Sequence, residues 1–545
     1  MPMFRTTGPR QLHHCSDLGP RFLARSCWLV LLVFGFALPA ASPAVVPTAV
    51  PTVVPAVAPA VAPAAVSATV SPSTDGQLES SPRNVILFIS DGCGPASFTM
   101  ARNALGRPLA LDGLRVGSCS TQASDTWVTD SAASATALAT GHKTQNGVVG
   151  LDEHGQPVAT LLEAAEERGL ATGLVTTTAI THATPACFAS HVPSRAQAGE
   201  IAVQLLAHDI EVLFGGGSQY FLPPRLGGIR DDTRDLISEA TDLGVTVVRD
   251  GEALQGPVEL PVLGLFAPNH LDYEIDRQRQ PGPAQPDVTQ ASPARPDLTQ
   301  PSPSQPSPSQ PSPSQPSLEA MTERALQLLS ATDQGFFLMV EGGRIDHAGH
   351  ENDAVAHLRD LEAFDAAVRR GLAFAAEHGD TLIVSTSDHE TGGLTLAGHS
   401  DGVATYAWQP DVLSAGRSSA GAMAERLLQG DDPGLVFTQD ARMDDLTDAE
   451  LALLSDHGGG LFAMASRAST VAAVCRVINE RAGLSWSTLG HTGVDVPVFA
   501  VGPGSQRFTG QQDNTALGQR LADLLGFDLA ELTTRLRAGD TPWLP

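Results

Sequence analysis

Short, almost continuous apolar runs recur along the chain, each closed by polar residues or glycines. Asn84 to Ser90 (NVILFIS) ends in Asp91-Gly92-Cys93-Gly94. Leu174-Val-Thr-Thr177 leads into Thr181-His182-Ala183-Thr184, and Glu211-Val-Leu-Phe214 into three glycines. Phe336-Phe-Leu-Met-Val340 leads into Glu341, Thr381-Leu-Ile-Val384 into Ser387-Asp388-His389-Glu390, and Val496 to Val501 follows His491. Runs of this kind mark strands buried on both faces. Helical patterns lie between most of them, at 158–168, 196–207, 321–329 and 353–377. The alternation predicts an α/β fold: a doubly wound, mainly parallel central sheet with helices on both faces. In such sheets sites form at the carboxyl ends of the strands, so Asp91, His182, Glu341, Asp388 and His389 are expected on one rim.

The stretch 126–136 breaks this rhythm. A β-prone run, Thr126 to Thr129, ends in Asp130-Ser131 and passes into an alanine-rich segment of high helix propensity. Asp130 or Ser131 therefore caps a helix, where free N–H groups and the dipole favour an anion. A serine held there can attack phosphorus and rest its phosphoester on those amides. Alone, the pattern is equally an ordinary cap.

Glu341-Gly-Gly-Arg-Ile-Asp346-His347-Ala-Gly-His350 supplies the densest group of ligand-type residues. Asp346 and His350, four apart, share one face of a helical turn. Asp388-His389 follows a buried strand, Asp91 ends another, and His491 sits in a Gly-flanked loop before a third. Carboxylate oxygen and imidazole nitrogen suit zinc with an open position for substrate, and two such ions would polarise a phosphoryl oxygen and activate serine and water. Each pair in isolation is unremarkable; their shared place beside strand ends is what gives them weight.

Composition sets the borders. Arginines at 5, 10, 21 and 25, an apolar run 28–38 and small residues 40–42 match a secretory signal peptide, with a retained anchor as the alternative. Export, to a secreted or periplasmic location, is the expectation, with no stable membrane insertion after cleavage. A Pro/Ala/Val-rich linker fills 43–82, and a Pro/Ser/Gln-rich insert at 281–317 reads as a disordered loop. The catalytic α/β domain then comprises 83–280, 318–394 and 486–545, with 395–485 a small cap or subunit-contact insertion. The net charge of −27 excludes nucleic acid as a partner and means that any phosphate site makes its own positive field. Cys93, Cys119, Cys187 and Cys475 follow no CxxC spacing, so no essential disulfide is expected.

Val128-Thr-Asp-Ser-Ala-Ala-Ser-Ala135, together with Asn84 to Gly92, Thr181-His-Ala-Thr-Pro185, Val340-Glu-Gly342, Ile345-Asp346 to His350, Ser387-Asp-His389 and His491-Thr-Gly493, resembles the alkaline phosphatase family. The likeness spans essentially the whole globular part, in the family's order. It implies a metal-dependent phosphomonoesterase of broad specificity, working through phosphoserine, with phosphate monoesters as substrates and a homodimer as the assembly.

By that resemblance Ser131 is the nucleophile, Arg195 the phosphate clamp and Asp130 its anchor. Asp346, His350 and His491 would hold one Zn2+, and Asp91, Asp388 and His389 a second. Asp91 with Thr184 and Glu341 would reach a third ion, usually Mg2+. His182 and His347 stand where the best-known bacterial pattern has aspartate and lysine. His182 is therefore either a ligand or a holder of water, Co2+ or Zn2+ is open at the third site, and His347 either contacts phosphate through water or flanks the ligands. A sulfatase would need cysteine in place of Ser131, and a diesterase usually has threonine and no clamp. A phosphate-binding protein without turnover would not need the nucleophile.

Overall fold

The strand Asn84–Ile89 (β1), apolar from Val85 onward, is buried along its whole length, as its composition demands. It lies in the middle of a ten-stranded sheet. The other strands are Arg115–Ser120 (β2), Ala171–Ala179 (β3), Val212–Gly216 (β4), Thr246–Val248 (β5), Val262–Leu265 (β6), Phe336–Glu341 (β7), Thr381–Thr386 (β8), Val496–Val501 (β9) and Gly510–Asp513 (β10). Their order is β10-β2-β9-β8-β1-β7-β3-β4-β6-β5. Every pairing is parallel except those of β9, which runs against both β8 and β2. The computed structural model describes residues 81–279, 315–397, 399–400, 403–404, 406–455 and 463–543. The signal peptide expected at 1–42 and nearly all of the segments expected at 43–82 and 281–317 lie outside them.

Alternate side chains of β1 enter different cores. Ile86 and Phe88 join one apolar cluster, with Leu326, Phe364 and Val368 from helices Leu318–Leu329 and Ala354–His378. Val85, Leu87 and Ile89 join the other, with Leu138, Leu162 and Leu521 from helices Ser131–Thr140, Leu161–Glu167 and Asn514–Leu525. This is the doubly wound arrangement the apolar runs predict. Truncating a fully buried side chain such as Phe88 to alanine costs about 3–5 kcal/mol at sites of this kind. Helices Pro410–Ala415, Ala420–Leu428 and Ala463–Ala482 contribute Leu413, Met423 and Val474 to the first cluster.

Register brings the strand ends level. Ile89 pairs with Glu341 on one side and Thr386 on the other, and Thr176 pairs with Glu341. The adjacent strands β8, β1, β7 and β3 thus deliver Asp388, Asp91, Glu341 and His182 to one edge. The reversed direction of β9 explains His491, which precedes its strand in sequence yet belongs to the same edge. One local expectation fails: Thr126 to Thr129 bends and forms no strand. Asn146 holds it instead, Oδ1 accepting from Asp130 N (2.8 Å) and Nδ2 donating to the Val128 carbonyl (3.0 Å).

Candidate active site

Ser131 is the first residue of helix Ser131–Thr140, and of the two candidate caps it is Asp130 that serves, accepting from Ala133 N at 2.9 Å. Alanine-rich and buried throughout, the helix packs tightly behind the strand ends. Ser134 Oγ donates to the Asp388 carbonyl (2.7 Å) and accepts from Asn514 Nδ2 (3.1 Å), fixing the helix against the end of β8. Ser131 Oγ comes to 3.1 Å from His389 Nε2.

Around that hydroxyl stand Asp91, Asp388, Glu341 and Asp346, all buried, with too few donors for their charge. Both carboxylate oxygens of Asp91, Asp388 Oδ2, Glu341 Oε1, Thr184 Oγ1 and His182 Nδ1 have no hydrogen-bond partner. Burial, and then the charges of Asp388 and Asp346, push the Asp91 carboxyl well above the ordinary range. Burial likewise raises Asp388, to about 8, with Asp346 and Glu341 adding to it. Buried carboxylates without partners cost several kcal/mol each unless cations neutralise them.

Three groups have ligand atoms close enough to share an ion: Asp91 with Asp388 and His389, Asp91 with His182 and Glu341, and Asp346 with His389 and His491. The set expected from the resemblance, Asp346, His350 and His491, is also assembled. His350 Nε2 lies 3.4 Å from Asp346 Oδ2 and 3.1 Å from His491 Nε2, and His491 Nε2 lies 3.6 Å from Asp346 Oδ1. Asp346 and His350 sit on helix Arg344–Glu351, the turn their spacing predicts. Outer partners orient the rings: His350 Nδ1 meets the Leu489 carbonyl at 2.6 Å and His491 Nδ1 the Thr129 carbonyl at 2.8 Å. A carbonyl can only accept, so each Nδ1 carries the proton and each Nε2 lone pair faces the site. Thr391 Oγ1 donates to Asp346 Oδ1 (2.6 Å). The orphaned oxygens and inward-turned nitrogens together fit divalent cations.

Arg195 crosses the mouth of the site. Its Nη1 donates to Asp130 Oδ2 and its Nη2 to His182 Nε2, both at 2.9 Å. With Nε2 accepting, the neutral His182 ring carries its proton on Nδ1 in this arrangement, while the ring also offers a ligand atom beside those of Asp91 and Glu341. The loop bearing Arg195 is fixed by Arg195 N donating to the Gly147 carbonyl (2.8 Å). A buried pair stands behind it, His191 Nε2 to Glu163 Oε1 at 2.8 Å, with His191 Nδ1 on the Gly150 carbonyl at 2.7 Å. Burial alone would raise Glu163 and lower His191, but their mutual attraction outweighs it and shifts each the opposite way.

His347 stands 2.6 Å from Arg344 Nη1 through Nδ1, its ring 5.6 Å from that of His182. Beside both sits His270, which no sequence motif marks. Its ring lies 4.5 Å from His347 and 5.6 Å from His182, and its Nδ1 accepts from Ala179 N at 3.0 Å. Burial, then the charge of Arg344, depress it to about 4. No motif surrounds His270 or Asn146, so only the fold brings them to the site.

The alkaline phosphatase family profile matches residues 82–527. The repressible alkaline phosphatase of Saccharomyces cerevisiae is 35% identical over 508 residues, covering 84% of this chain and 83% of its own. Alkaline phosphatase 3 of Bacillus subtilis is 35% identical over 469 residues, covering 82% and 90%. The crystal structure of a cold-active alkaline phosphatase from a psychrophilic Shewanella superimposes with a TM-score of 0.68 at 32% identity, covering 81% of this chain and 99% of that one. The chain belongs to the alkaline phosphatase family, the metal-dependent phosphomonoesterases.

Proposed function

We propose that this phosphomonoesterase works through a phosphoserine at Ser131, held among two Zn2+ ions and a third cation, Mg2+ or, as alternatives, Co2+ or Zn2+. The supporting observation is the Ser131 hydroxyl 3.1 Å from His389 Nε2, at a helix N-terminus, beside carboxylates that only cations would satisfy. Asp346, His350 and His491 would hold one zinc, Asp91, Asp388 and His389 the other. Asp91, Thr184 and Glu341 would hold the third ion, with His182 beside them. Bound cations supply Lewis acidity toward the phosphoryl oxygens and lower the pKa of serine and water.

The chain's own residues do the rest. Arg195, oriented by Asp130, takes two phosphoryl oxygens in its planar fork while the first amides of helix Ser131–Thr140 stabilise charge on the transferring group. Ser131 Oγ forms the new P–O bond as the bond to the leaving oxygen breaks, and the alcohol departs with a proton. Water then cleaves the phosphoserine, releasing inorganic phosphate and restoring the hydroxyl. His347, beside Arg344, steadies the phosphate from the third-ion side. Strong contacts to the phosphoryl group, present whatever the leaving group, give broad specificity.

Export to the periplasm or beyond follows from the arginine-rich, apolar segment at 1–42; among the described residues no helix is long and apolar enough to cross a membrane. A homodimer and the domain limits given above complete the reading. Elemental analysis of wild type and Ser131→Ala, alongside turnover before and after metal depletion, tests it. Ser131→Ala retains wild-type metal and loses turnover; retained turnover, or a wild-type protein active without divalent ions, contradicts the reading.

A further inference from the structure

Large apolar side chains stand exposed around the mouth of the site. Trp127 is 83% exposed, Leu489 66%, Val494 47% and Val128 38%. They come from two loops that touch: a Cβ on Gly493 would stand 3.2 Å from the Trp127 carbonyl oxygen and 3.8 Å from Val128 Cγ2. Both loops are tied to the site itself, through His491 Nδ1 on the Thr129 carbonyl and His350 Nδ1 on the Leu489 carbonyl. Asn146, bonded on either side of Thr129, fixes the Trp127–Val128 loop. The platform is therefore prearranged. Leaving a tryptophan in water forgoes the burial of about 150–250 Å² of mostly apolar surface, and an apolar patch rimmed by polar groups marks a binding face.

Geometry selects the occupant. The His389 side of the site is closed, its imidazole 0% exposed, whereas the His350 imidazole is 36% exposed. In an in-line displacement the leaving oxygen departs opposite Ser131 Oγ, and the phosphoryl oxygens are engaged by Arg195 and the helix amides. The rest of the substrate must leave by the open, His350 side, where the loops carrying Leu489, Val494 and Trp127 are tied to His350 and His491. We propose that Trp127, with Val128, Leu489 and Val494, forms a subsite for planar aromatic leaving groups, so that aryl and nucleoside monoesters are preferred over small alkyl ones. This rests on the phosphoserine reading above.

The test compares naphthyl phosphate with methyl phosphate in wild type, Trp127→Ala and Trp127→Phe, with phenylphosphonate and inorganic phosphate as inhibitors. Loss of one aromatic stacking partner is expected to lower kcat/KM for naphthyl phosphate about tenfold and to weaken phenylphosphonate to a similar degree. Methyl phosphate turnover and inhibition by inorganic phosphate stay within about twofold, and Trp127→Phe restores most of the loss. If both esters fall together, or neither changes, the subsite is overturned. A drop in sedimenting mass in Trp127→Ala with unchanged discrimination assigns the platform to a second copy of the chain and also overturns it. Failure of the phosphoserine reading is separate from these outcomes, because it shows as turnover retained by Ser131→Ala and not as a change in the ratio of the two esters between wild type and the Trp127 variants.

Discussion

Ser134 Oγ donates to the Asp388 carbonyl at 2.7 Å, and through this one bond the helix carrying Ser131 is referenced to the strand end carrying Asp388 and His389. Apolar packing of Ala132, Ala135 and Leu138 with Leu382 and Val384 joins the same two elements, and this bond sets the 3.1 Å approach of Ser131 to His389 within that packing. Ser134→Ala leaves the buried Asp388 carbonyl unpaired, costing about 1–3 kcal/mol. A lowered Tm with a fall in kcat larger than the change in KM is the expected outcome, read by thermal unfolding and steady-state kinetics. An unchanged kcat would show that the helix is positioned by packing alone.

Arg195 is held between Asp130 and His182, so the clamp is oriented before substrate arrives. Lysine cannot reproduce a two-pronged contact. Arg195→Lys should raise the inhibition constant of inorganic phosphate by roughly ten- to a hundredfold, the equivalent of one charged hydrogen bond. Asp130→Asn should raise it less, since the guanidinium remains. Calorimetric titration with phosphate distinguishes the two.

The Glu163–His191 pair stands behind the loop that carries Arg195. Removing one partner of a buried ion pair costs about 3–5 kcal/mol. The lowered Glu163 contributes stability above the ordinary carboxylate pKa and loses it as pH falls. The raised His191 contributes below the ordinary histidine pKa and loses it as pH rises through its folded value. Glu163→Gln should therefore lower Tm most near neutrality, less at either extreme, and also weaken phosphate. A Tm loss uniform in pH would contradict this.

Asp388 gives a signature of the metal-free protein. Burial raises its carboxyl to about 8, so without cations its contribution is favourable below the ordinary carboxylate pKa and is lost as pH rises from there through about 8. In chelator, Asp388→Asn should be more stable than wild type at about pH 8 and similar at about pH 4, while binding less metal. Thermal scans across pH with and without chelator decide it. A metal-free wild type whose advantage grows with pH relative to the variant would reverse the sign.

Much of this was legible in the chain because buried parallel strands write themselves as apolar runs. β1, β3, β4, β7, β8 and β9 announce themselves so, and helix Arg344–Glu351 is implied by the spacing of Asp346 and His350. β10 (GQQD), at the sheet's edge, and its neighbour β2 (RVGSCS), only partly buried, were not legible, since strands so placed need no apolar run and their polar residues read as loop. Thr126 to Thr129 misled in the other direction: β-branched and aromatic residues suit a strand, yet Asn146 binds that backbone as a loop. His270 and Asn146 carry no local signal because their partners are far away in sequence, and only assembly of the sheet edge brings them in.

The proposed reaction passes the phosphoryl group through Ser131. The most direct measurement is peptide mass spectrometry of the holoenzyme after acid quench of a phosphate-saturated sample. The expected result is one phosphoryl group on the peptide containing Ser131, located on that residue and absent from Ser131→Ala. A phosphoryl group on another residue, or turnover with no trapped phosphoserine in a quench that preserves the ester, would contradict it.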